Sequence, residues 1–157
     1  MAHGIDDTGS ERGSLTLEEQ AMWRALGRVV QRLPRQLDDA MLRSTGLTMT
    51  EFSVLHVLYE AEDRTLRMSD LATSTGLSIS RVSRVALAME GRGWCSRRRD
   101  EEDGRSALAT LTQSGVEEVQ RAKTRYSDIA RQHVLDLVPR ESLNVLAEAL
   151  TAIASRP

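Results

Sequence analysis

The chain has 157 residues, enough for one domain with a hydrophobic core but too few for two domains of ordinary size. Aromatic residues make up only 3% of it, so the core must consist of aliphatic residues and Met, which favours packed helices over a β-sandwich or a barrel. The single cysteine, Cys95, excludes an intramolecular disulfide, and the net charge of −2 argues against a uniformly basic nucleic-acid binder.

The beginning of the chain is polar and rich in glycine, which predicts a disordered tail over residues 1–14. This segment has no apolar stretch of the kind that a signal peptide needs. Nowhere does the sequence contain the roughly 18 consecutive apolar residues of a membrane span. We therefore expect a cytoplasmic protein with no membrane partner.

Two capping boxes predict where the first two helices begin. Thr16 and Glu19 have the capping-box spacing and predict a long first helix. Pro34 should kink or divide this helix, and Gly46 should end it. The second box, over residues 48–51, predicts a short helix that runs to about residue 61.

A candidate short strand, Thr65 to Arg67, precedes the pattern of a helix-turn-helix. Residues 68–74 and about 78–90 predict two helices, the second capped by Ser78. Ala72 is small where two helices must meet, and Gly76 suits a turn that requires positive φ. Apolar residues that would lock such a pair at a steep angle follow at Leu77, Val82 and Val85.

The second of these helices divides into an apolar and a polar face. On a helical wheel, the residues predicted to face the core are Ile79, Val82, Val85, Ala86 and Met89. Arg side chains can bond guanine edges in the major groove, and Ser can reach a base or a phosphate. The candidate DNA contacts of this helix are Ser78, Ser80, Arg81, Ser83 and Arg84. Leu87 also points outward, where it could meet a thymine methyl or pack on a neighbouring strand.

A charged two-stranded hairpin is predicted next, with strands over residues 94–99 and 106–111 and a turn at Asp103-Gly104. Residues 64–105 contain nine Arg against six acidic residues, a local charge of +3, while the rest of the chain carries −5. At most one or two of the three arginines at 97–99 can contact phosphate, because strand side chains alternate. The four consecutive acids at 100–103 would repel phosphate unless most of them turn away.

The last third of the chain predicts two more amphipathic helices. Thr112 caps the first, and Pro139 is expected as the first residue of the second. The apolar stripe of the long helix comprises Val116, Val119, Ala122, Tyr126, Ile129, Ala130, Val134 and Leu137. The stripe of the last helix comprises Leu143, Leu146, Ala147, Leu150 and Ile153.

The spacing Asp103-x-Arg105, followed by Leu111-Thr112-x-x-Gly115 at the start of a long helix, closely resembles the wing signature of the MarR family. These are dimeric winged-helix transcription regulators, and the resemblance extends over about residues 17–153. It implies a mainly α fold with a small β-hairpin wing, formed as a single winged-helix domain over residues 15–157. The dimerisation helices would then be at about 15–46 and 113–157, and the DNA-binding lobe at about 48–112.

The resemblance also implies partners and roles. The wing arginine, here Arg105, would enter the minor groove of double-stranded DNA, and Asp103 would orient it. A narrow minor groove has enhanced negative potential and attracts a guanidinium, which a nearby carboxylate can hold in one orientation. The expected protein is a homodimeric regulator of transcription on a palindromic operator, most simply a repressor.

Members of this family commonly bind a small aromatic or phenolic effector between the dimerisation helices and the DNA-binding lobe. The candidate effector-binding residues here are Trp23, Arg28, His56 and Tyr59, although no motif selects among them. A lone histidine or tryptophan is more often a packing residue than a ligand contact.

Other functions have weaker support. Cys95 could make the chain a redox sensor if nearby arginines lowered its pKa, although burial as a small apolar residue is the simpler reading. A dimer that serves only as a protein-interaction platform also stays open. The three histidines lie far apart and form no metal-ligand motif, and no nucleophile elbow or phosphate-binding loop is present. We expect no metal, no cofactor and no enzymatic activity.

Overall fold

The computed structural model describes residues 14–100 and 107–155. The predicted wing residues Asp103 and Arg105 lie outside these ranges, as does nearly all of the predicted tail. The chain divides into two compact units, Met1–Pro34 and Arg35–Pro157.

Within the first unit, helix α1 (Leu17–Thr45) begins at the predicted capping box. The backbone N–H of Thr16 donates to Glu19 Oε2 at 2.7 Å, and that of Glu19 donates to Thr16 Oγ1 at 3.2 Å. The helix includes Pro34, so of the two predicted outcomes, a kink or a division, the structure excludes the division. Proline removes only one intrahelical hydrogen bond, and the flanking turns of a 29-residue helix retain theirs.

The second unit contains the end of α1 and all other elements. Gly46, at φ +76°, ends α1 as predicted, and a complete capping box at Thr48 and Glu51 begins the next helix. The helices are α2 (Met49–Glu60), α3 (Met68–Thr75), α4 (Ile79–Gly91), α5 (Gln113–His133) and α6 (Leu143–Ala154). The strands are β1 (Thr65–Arg67), β2 (Cys95–Arg99) and β3 (Ala107–Leu111). The predicted class, mainly α with a small β-wing, is confirmed.

The sheet has three antiparallel strands in the order β1-β3-β2, because the short strand predicted at 65–67 joins the hairpin. Ala109 in the central strand pairs with Leu66 on one side and Arg97 on the other. This pairing anchors the base of the wing to the chain segment that leads directly into α3.

The core of the second unit is aliphatic, as the composition predicts, with one aromatic pair at its edge. Phe52 of α2 is buried and stacks on Tyr126 of α5, with ring centroids 4.6 Å apart. The other large side chains that are fully buried are Met41, Leu47, Val54, Leu55, Leu58, Leu71, Val82, Met89 and Val119.

The start of α5 lies directly against the sheet. Thr112 donates its N–H to Trp94 O at 3.0 Å and its hydroxyl to Gly93 O at 2.7 Å. A Cβ on Gly115 would lie only 2.1 Å from Trp94 O, so no other residue fits there without displacing backbone. This contact explains the Leu-Thr-x-x-Gly spacing in physical terms: threonine caps the helix and glycine permits the close approach.

Two predicted boundaries in the last third were wrong. Helix α5 ends at His133, because Val134 has a non-helical conformation (φ −139°, ψ −62°), and Leu137 falls in a separate 3₁₀ turn. Pro139 is extended at ψ 138° and precedes a 3₁₀ turn over Arg140–Ser142, so it is not the first residue of the last helix. No residue of α6 is fully buried.

Candidate nucleic-acid interface

The helix-turn-helix forms as predicted between α3 and α4. Gly76 adopts the left-handed conformation (φ 67°, ψ 19°) that the turn requires, and Leu77 N–H donates to Ala72 O at 3.1 Å. Ser78 then caps α4, its hydroxyl accepting from the N–H of Arg81 at 3.3 Å. The turn therefore fixes where α4 begins and which of its faces turns outward.

The apolar face of α4 differs from the prediction at one position. Val82, Ala86 and Met89 are fully buried, and Val85 packs against the core, as expected. Ile79, however, is 58% exposed. A helical wheel gives only an angle, and Ile79 is the first residue of α4, so it lies beyond the buried layer that begins at Val82.

The polar candidates on α4 are presented to different degrees. Ser80, Arg81 and Arg84 are exposed, whereas Ser83 is half-buried. The hydroxyl of Ser78 is already engaged, since besides capping the helix it lies 3.2 Å from Ser80 Oγ. Exposed guanidinium and hydroxyl groups thus occupy the outward side of α4 near its N-terminus.

The two arginines of α4 have different environments. Arg81 Nη2 donates to Thr50 Oγ1, in the first turn of α2, at 3.2 Å. Arg84 makes no hydrogen bond or ion pair with any residue in the described ranges. The bond to Thr50 therefore restricts the orientation of the Arg81 guanidinium, while all N–H donors of Arg84 stay available for a ligand. Sequence reasoning missed Thr50, because 31 positions separate the two residues.

A groove of about 370 Å³ lies between α4 and the start of α2. Its lining residues are Asp38, Thr48, Thr50, Glu51, Arg81, Arg84, Val85 and Ala88. The two carboxylates are committed to backbone capping: Asp38 Oδ1 accepts from Met49 N–H at 2.9 Å and Glu51 Oε2 accepts from Thr48 N–H at 2.8 Å. Their negative charge is therefore partly compensated beside the two arginines.

At the base of the wing, one of the four consecutive acids forms an ion pair inside the protein. Asp100 is buried, and its Oδ2 lies 2.9 Å from Nη2 of Arg67 at the end of β1. The charge of Asp100 is thus compensated within the protein. The predicted repulsion of phosphate by the acidic run is reduced at this position, while the other three acids lie outside the described residues.

A second ion pair ties β2 to the end of α4. Arg97 donates to both carboxylate oxygens of Glu90, through its backbone N–H at 2.9 Å, Nε at 3.0 Å and Nη2 at 2.8 Å. These side-chain and backbone hydrogen bonds from Arg97 lower the pKa of Glu90. Arg97 is therefore occupied, whereas Arg98 and Arg99 are exposed.

Cys95 has the environment of a packing residue. Its side chain is 3% exposed, and its thiol donates to Ala86 O at 3.3 Å. Burial, reinforced by the charge of Glu90, raises the pKa of Cys95 to about 11. A redox sensor needs an accessible thiolate, and this cysteine is buried and protonated at neutral pH.

The four candidate effector residues fall in different units. Trp23 and Arg28 lie on α1 in the first unit, where both are exposed. His56 and Tyr59 lie on α2 in the second unit, with ring centroids 6.4 Å apart. His56 Nδ1 is 3.6 Å from Glu60 Oε2, and Tyr59 lies near two cationic side chains.

The second unit has a cleft of about 190 Å³ beside His56. Its lining residues are Phe52, Ser53, His56, Val57, Ser74, Thr75 and Tyr126. Tyr59 is not among them, whereas the stacked pair Phe52 and Tyr126 is. Sequence reasoning missed these two aromatics as cleft residues, because both belong to regular apolar stripes.

Two further observations concern the described residues only. None of their helices combines the length and apolar character needed to cross a membrane. Nor do their His, Cys, Asp and Glu side chains form a group of three or more that could hold a metal ion.

A helix-turn-helix with one strand of a three-stranded antiparallel sheet before it, β1, and two strands after it, β2 and β3, defines a winged-helix DNA-binding protein. The structure of Sco3205 from Streptomyces coelicolor, a MarR-family regulator in complex with DNA, is similar with a TM-score of 0.86 at 31% identity, covering 92% of each chain. That of AbsC, another MarR-family regulator from Streptomyces coelicolor, has a TM-score of 0.82 at 37% identity, covering 90% of this chain and 95% of AbsC.

The sequence model of the MarR family matches residues 47–107. The transcriptional repressor MprA of Escherichia coli strain K12 is 34% identical over 79 residues, which are 50% of this chain and 45% of MprA. The match thus spans less than half of that curated relative. With the similarity to Sco3205 and AbsC, these findings show that the chain belongs to the MarR family, whose members are DNA-binding transcription regulators and not enzymes.

Proposed function

We propose that this chain is a ligand-responsive repressor that acts as a homodimer on a palindromic operator. The observation that carries this proposal is the outward face of α4, where Ser80, Arg81 and Arg84 are exposed in a helix-turn-helix. A recognition helix enters the major groove with its N-terminal residues against base edges. The relative MprA is named a transcriptional repressor, which supports repression over activation.

In this proposal, the DNA contacts of one subunit come from the recognition helix and the wing. The α4 residues are Ser78, Ser80, Arg81, Ser83 and Arg84, and the wing residues are Asp103 and Arg105. Arg84 reads a base edge, since its guanidinium is exposed and unrestrained by described neighbours. Arg81 binds the phosphate backbone, since Thr50 holds it toward the start of α2.

Exposed apolar side chains support a dimer. In α6, the exposed fractions on the apolar stripe are 39% for Leu146, 48% for Leu150 and 54% for Ile153. Such a stripe along a helix with no buried residue is typical of a protein–protein interface. Trp23 and Val30 of the first unit are also exposed, at 64% and 63%. Pairing would place two recognition helices on successive major grooves, roughly 34–36 Å apart.

For the effector, the cleft beside His56 favours a ligand with a single aromatic ring. Its volume of about 190 Å³ exceeds only slightly the roughly 150 Å³ of an apolar cavity that accommodates benzene. The half-buried ring of Tyr126 offers a stacking partner, and His56 and Ser53 offer polar groups. Tyr59, on the same helix as His56, stays a candidate for a further contact. Trp23 and Arg28, on α1 in the first unit, stay separate candidates for effector binding.

The decisive experiment is selection of bound duplexes from random DNA, with the mass of the selected complex measured by sedimentation. We expect an inverted repeat bound by two subunits, with affinity falling steeply as salt rises, by a slope near −0.9 per phosphate contact. Arg105→Ala should flatten that slope by about 2, about 1 for each subunit, while Arg131→Ala, an exposed change on α5, should not. Recovery of no sequence preference, or of one bound subunit, would contradict the proposal.

The effector is tested with phenol and 4-hydroxybenzoate as probes on the selected duplex. We expect release from DNA at ligand concentrations that leave Tyr126→Leu bound, because leucine keeps the apolar packing but removes the stacking ring. If neither probe nor related single-ring compounds change the affinity for DNA, ligand responsiveness through this cleft is wrong, while repression on the operator stands.

A further inference from the structure

Ile79 is an apolar residue that the interior of the protein does not use. Although it is β-branched and sits on the amphipathic helix α4, it is 58% exposed. Leu77 and Val85, close to it in sequence, pack against the core, but Ile79 is not part of that cluster. An exposed isoleucine contributes little to folding, so its place at the N-terminal end of α4, between the exposed Ser78 and Ser80, calls for another explanation.

The surroundings of Ile79 allow a close approach by DNA. It is the first residue of α4, and its sequence neighbours Ser78 and Ser80 have short, exposed side chains. Ser83, one turn further along the same side, is also short. Ile79 therefore has the largest side chain among these neighbours, and the N-terminal residues of a recognition helix are those that approach base edges.

We propose that Ile79 is a specificity-determining residue that recognises the 5-methyl group of a thymine in each half-site. This inference rests on the proposed binding of α4 in the major groove. Among the four bases, only thymine presents an apolar group in that groove, so an exposed aliphatic side chain has one natural partner there. Contact removes the methyl group and the side chain from water together.

Leu87 is the natural control, because it is exposed to a similar extent, at 56%, and is also absent from the core cluster. It lies eight residues after Ile79, about 12 Å further along the helix axis and away from the end that approaches the bases. Both variants remove an exposed aliphatic side chain from the same helix, but only one should change methyl recognition.

The test uses the duplex selected by the wild-type protein, with each thymine replaced singly by deoxyuridine, which lacks only the methyl group. We expect one position per half-site where this replacement weakens binding by about fourfold, and by about fourteenfold when both half-sites are changed. Ile79→Ala should bind the thymine and uracil duplexes equally. Ile79→Val should retain most of the discrimination, and Leu87→Ala all of it.

Each other outcome has a definite meaning. If uracil weakens binding to wild type and to Ile79→Ala alike, or if no position is sensitive, the assignment of Ile79 is wrong while the operator function stands. If Leu87→Ala abolishes the discrimination, Leu87 and not Ile79 recognises the methyl group. If sedimentation shows that Ile79→Ala changes the subunit number, the side chain serves an interface between copies instead. Failure to select any duplex overturns the operator function as well.

Discussion

Helices α4 and α6 have nearly the same length, 13 and 12 residues, and both have an apolar face, yet their environments are opposite. In α4, Val82, Ala86 and Met89 are buried by the rest of the second unit. In α6, no residue is buried. An amphipathic pattern therefore predicts a covered face but does not tell which molecule covers it. For α4 the cover belongs to the same chain, and for α6 we propose a second copy.

The largest expected effect separates these two kinds of burial. Met89→Ala should lower the free energy of unfolding by about 2–5 kcal/mol, because it leaves a cavity in a closed core. This loss should be the same at every protein concentration. Leu150→Ala should instead destabilise by an amount that varies with concentration. Urea denaturation over a hundredfold range of concentration measures both, and a concentration-independent loss for Leu150→Ala would contradict the comparison.

A charge placed on α6 should break the dimer without unfolding the subunit. Leu150→Asp removes an apolar contact worth about 1.5–3 kcal/mol in each subunit and introduces a charge that the interface would have to desolvate. We expect the dimer dissociation constant to rise at least about a hundredfold in sedimentation, with an unchanged circular dichroism spectrum. Glu148→Ala, on the same helix, is the control; equal effects from both changes would argue against the apolar interface.

On the outward face of α4, Arg84→Ala should relax base preference. We expect a loss of about 1–3 kcal/mol at one position of each half-site and little change at the others. Competition binding with single-base variants of the selected duplex measures this. Arg97→Ala removes an arginine that is bonded to Glu90 and should leave base preference unaltered. A uniform loss over all sequences would reassign Arg84 to the phosphate backbone.

Thr50→Val should have a smaller and uniform effect, since it removes only the hydroxyl that accepts from Arg81. We expect an affinity loss of about 0.5–1.5 kcal/mol on every sequence, with recovery in Thr50→Ser. In a background of Arg81→Ala, the same change should have no further effect. Fluorescence anisotropy on a matched and a mismatched duplex checks this, and additive losses in the double variant would exclude the coupling.

The smallest effect is expected from the ionisation of Cys95, because the thiol stays protonated at neutral pH and its raised pKa then has no effect on stability. Its folded-state pKa of about 11 lies above the ordinary value of 9.0, so the unfolded chain loses this proton first as pH rises. The stability that the buried thiol contributes is therefore complete below pH 9 and falls between pH 9 and 11. Cys95→Ala should lack that part of the decline in urea titrations; an identical pH profile would contradict the raised pKa.

Local chemistry made much of the fold predictable. The capping boxes at Thr16 and Thr48, the left-handed turn at Gly76 and the cap at Ser78 each depend on a few adjacent residues, and all formed where the sequence indicated. The failure at Pro139 has a physical cause as well. The proline ring fixes φ, here −54°, but leaves ψ free, and at ψ 138° the residue is extended. A 3₁₀ turn then follows before α6 begins.

The candidate site was predictable only where a single helix defines it. The exposed side of α4 followed from its wheel, except at Ile79, where the position along the helix axis decides burial. Contacts over long sequence separations left no local signal, and these include the stacking of Phe52 on Tyr126 and the ion pair of Arg67 with Asp100. The pair with Asp100 matters for DNA binding, because it compensates an acid that otherwise counts against phosphate contact.

The close contact of Gly115 with Trp94 fixes the N-terminal end of α5 against the wing. Its first turn is joined to the residues that lead into β2 through two hydrogen bonds from Thr112, with no space for a side chain between them. The helix extends over about 30 Å from this joint. We expect a small rotation of its far end to reach the base of the wing, because no side chain lies between Gly115 and Trp94 that could rearrange to absorb it. Gly115 would thus couple the position of α5 to the position of the wing.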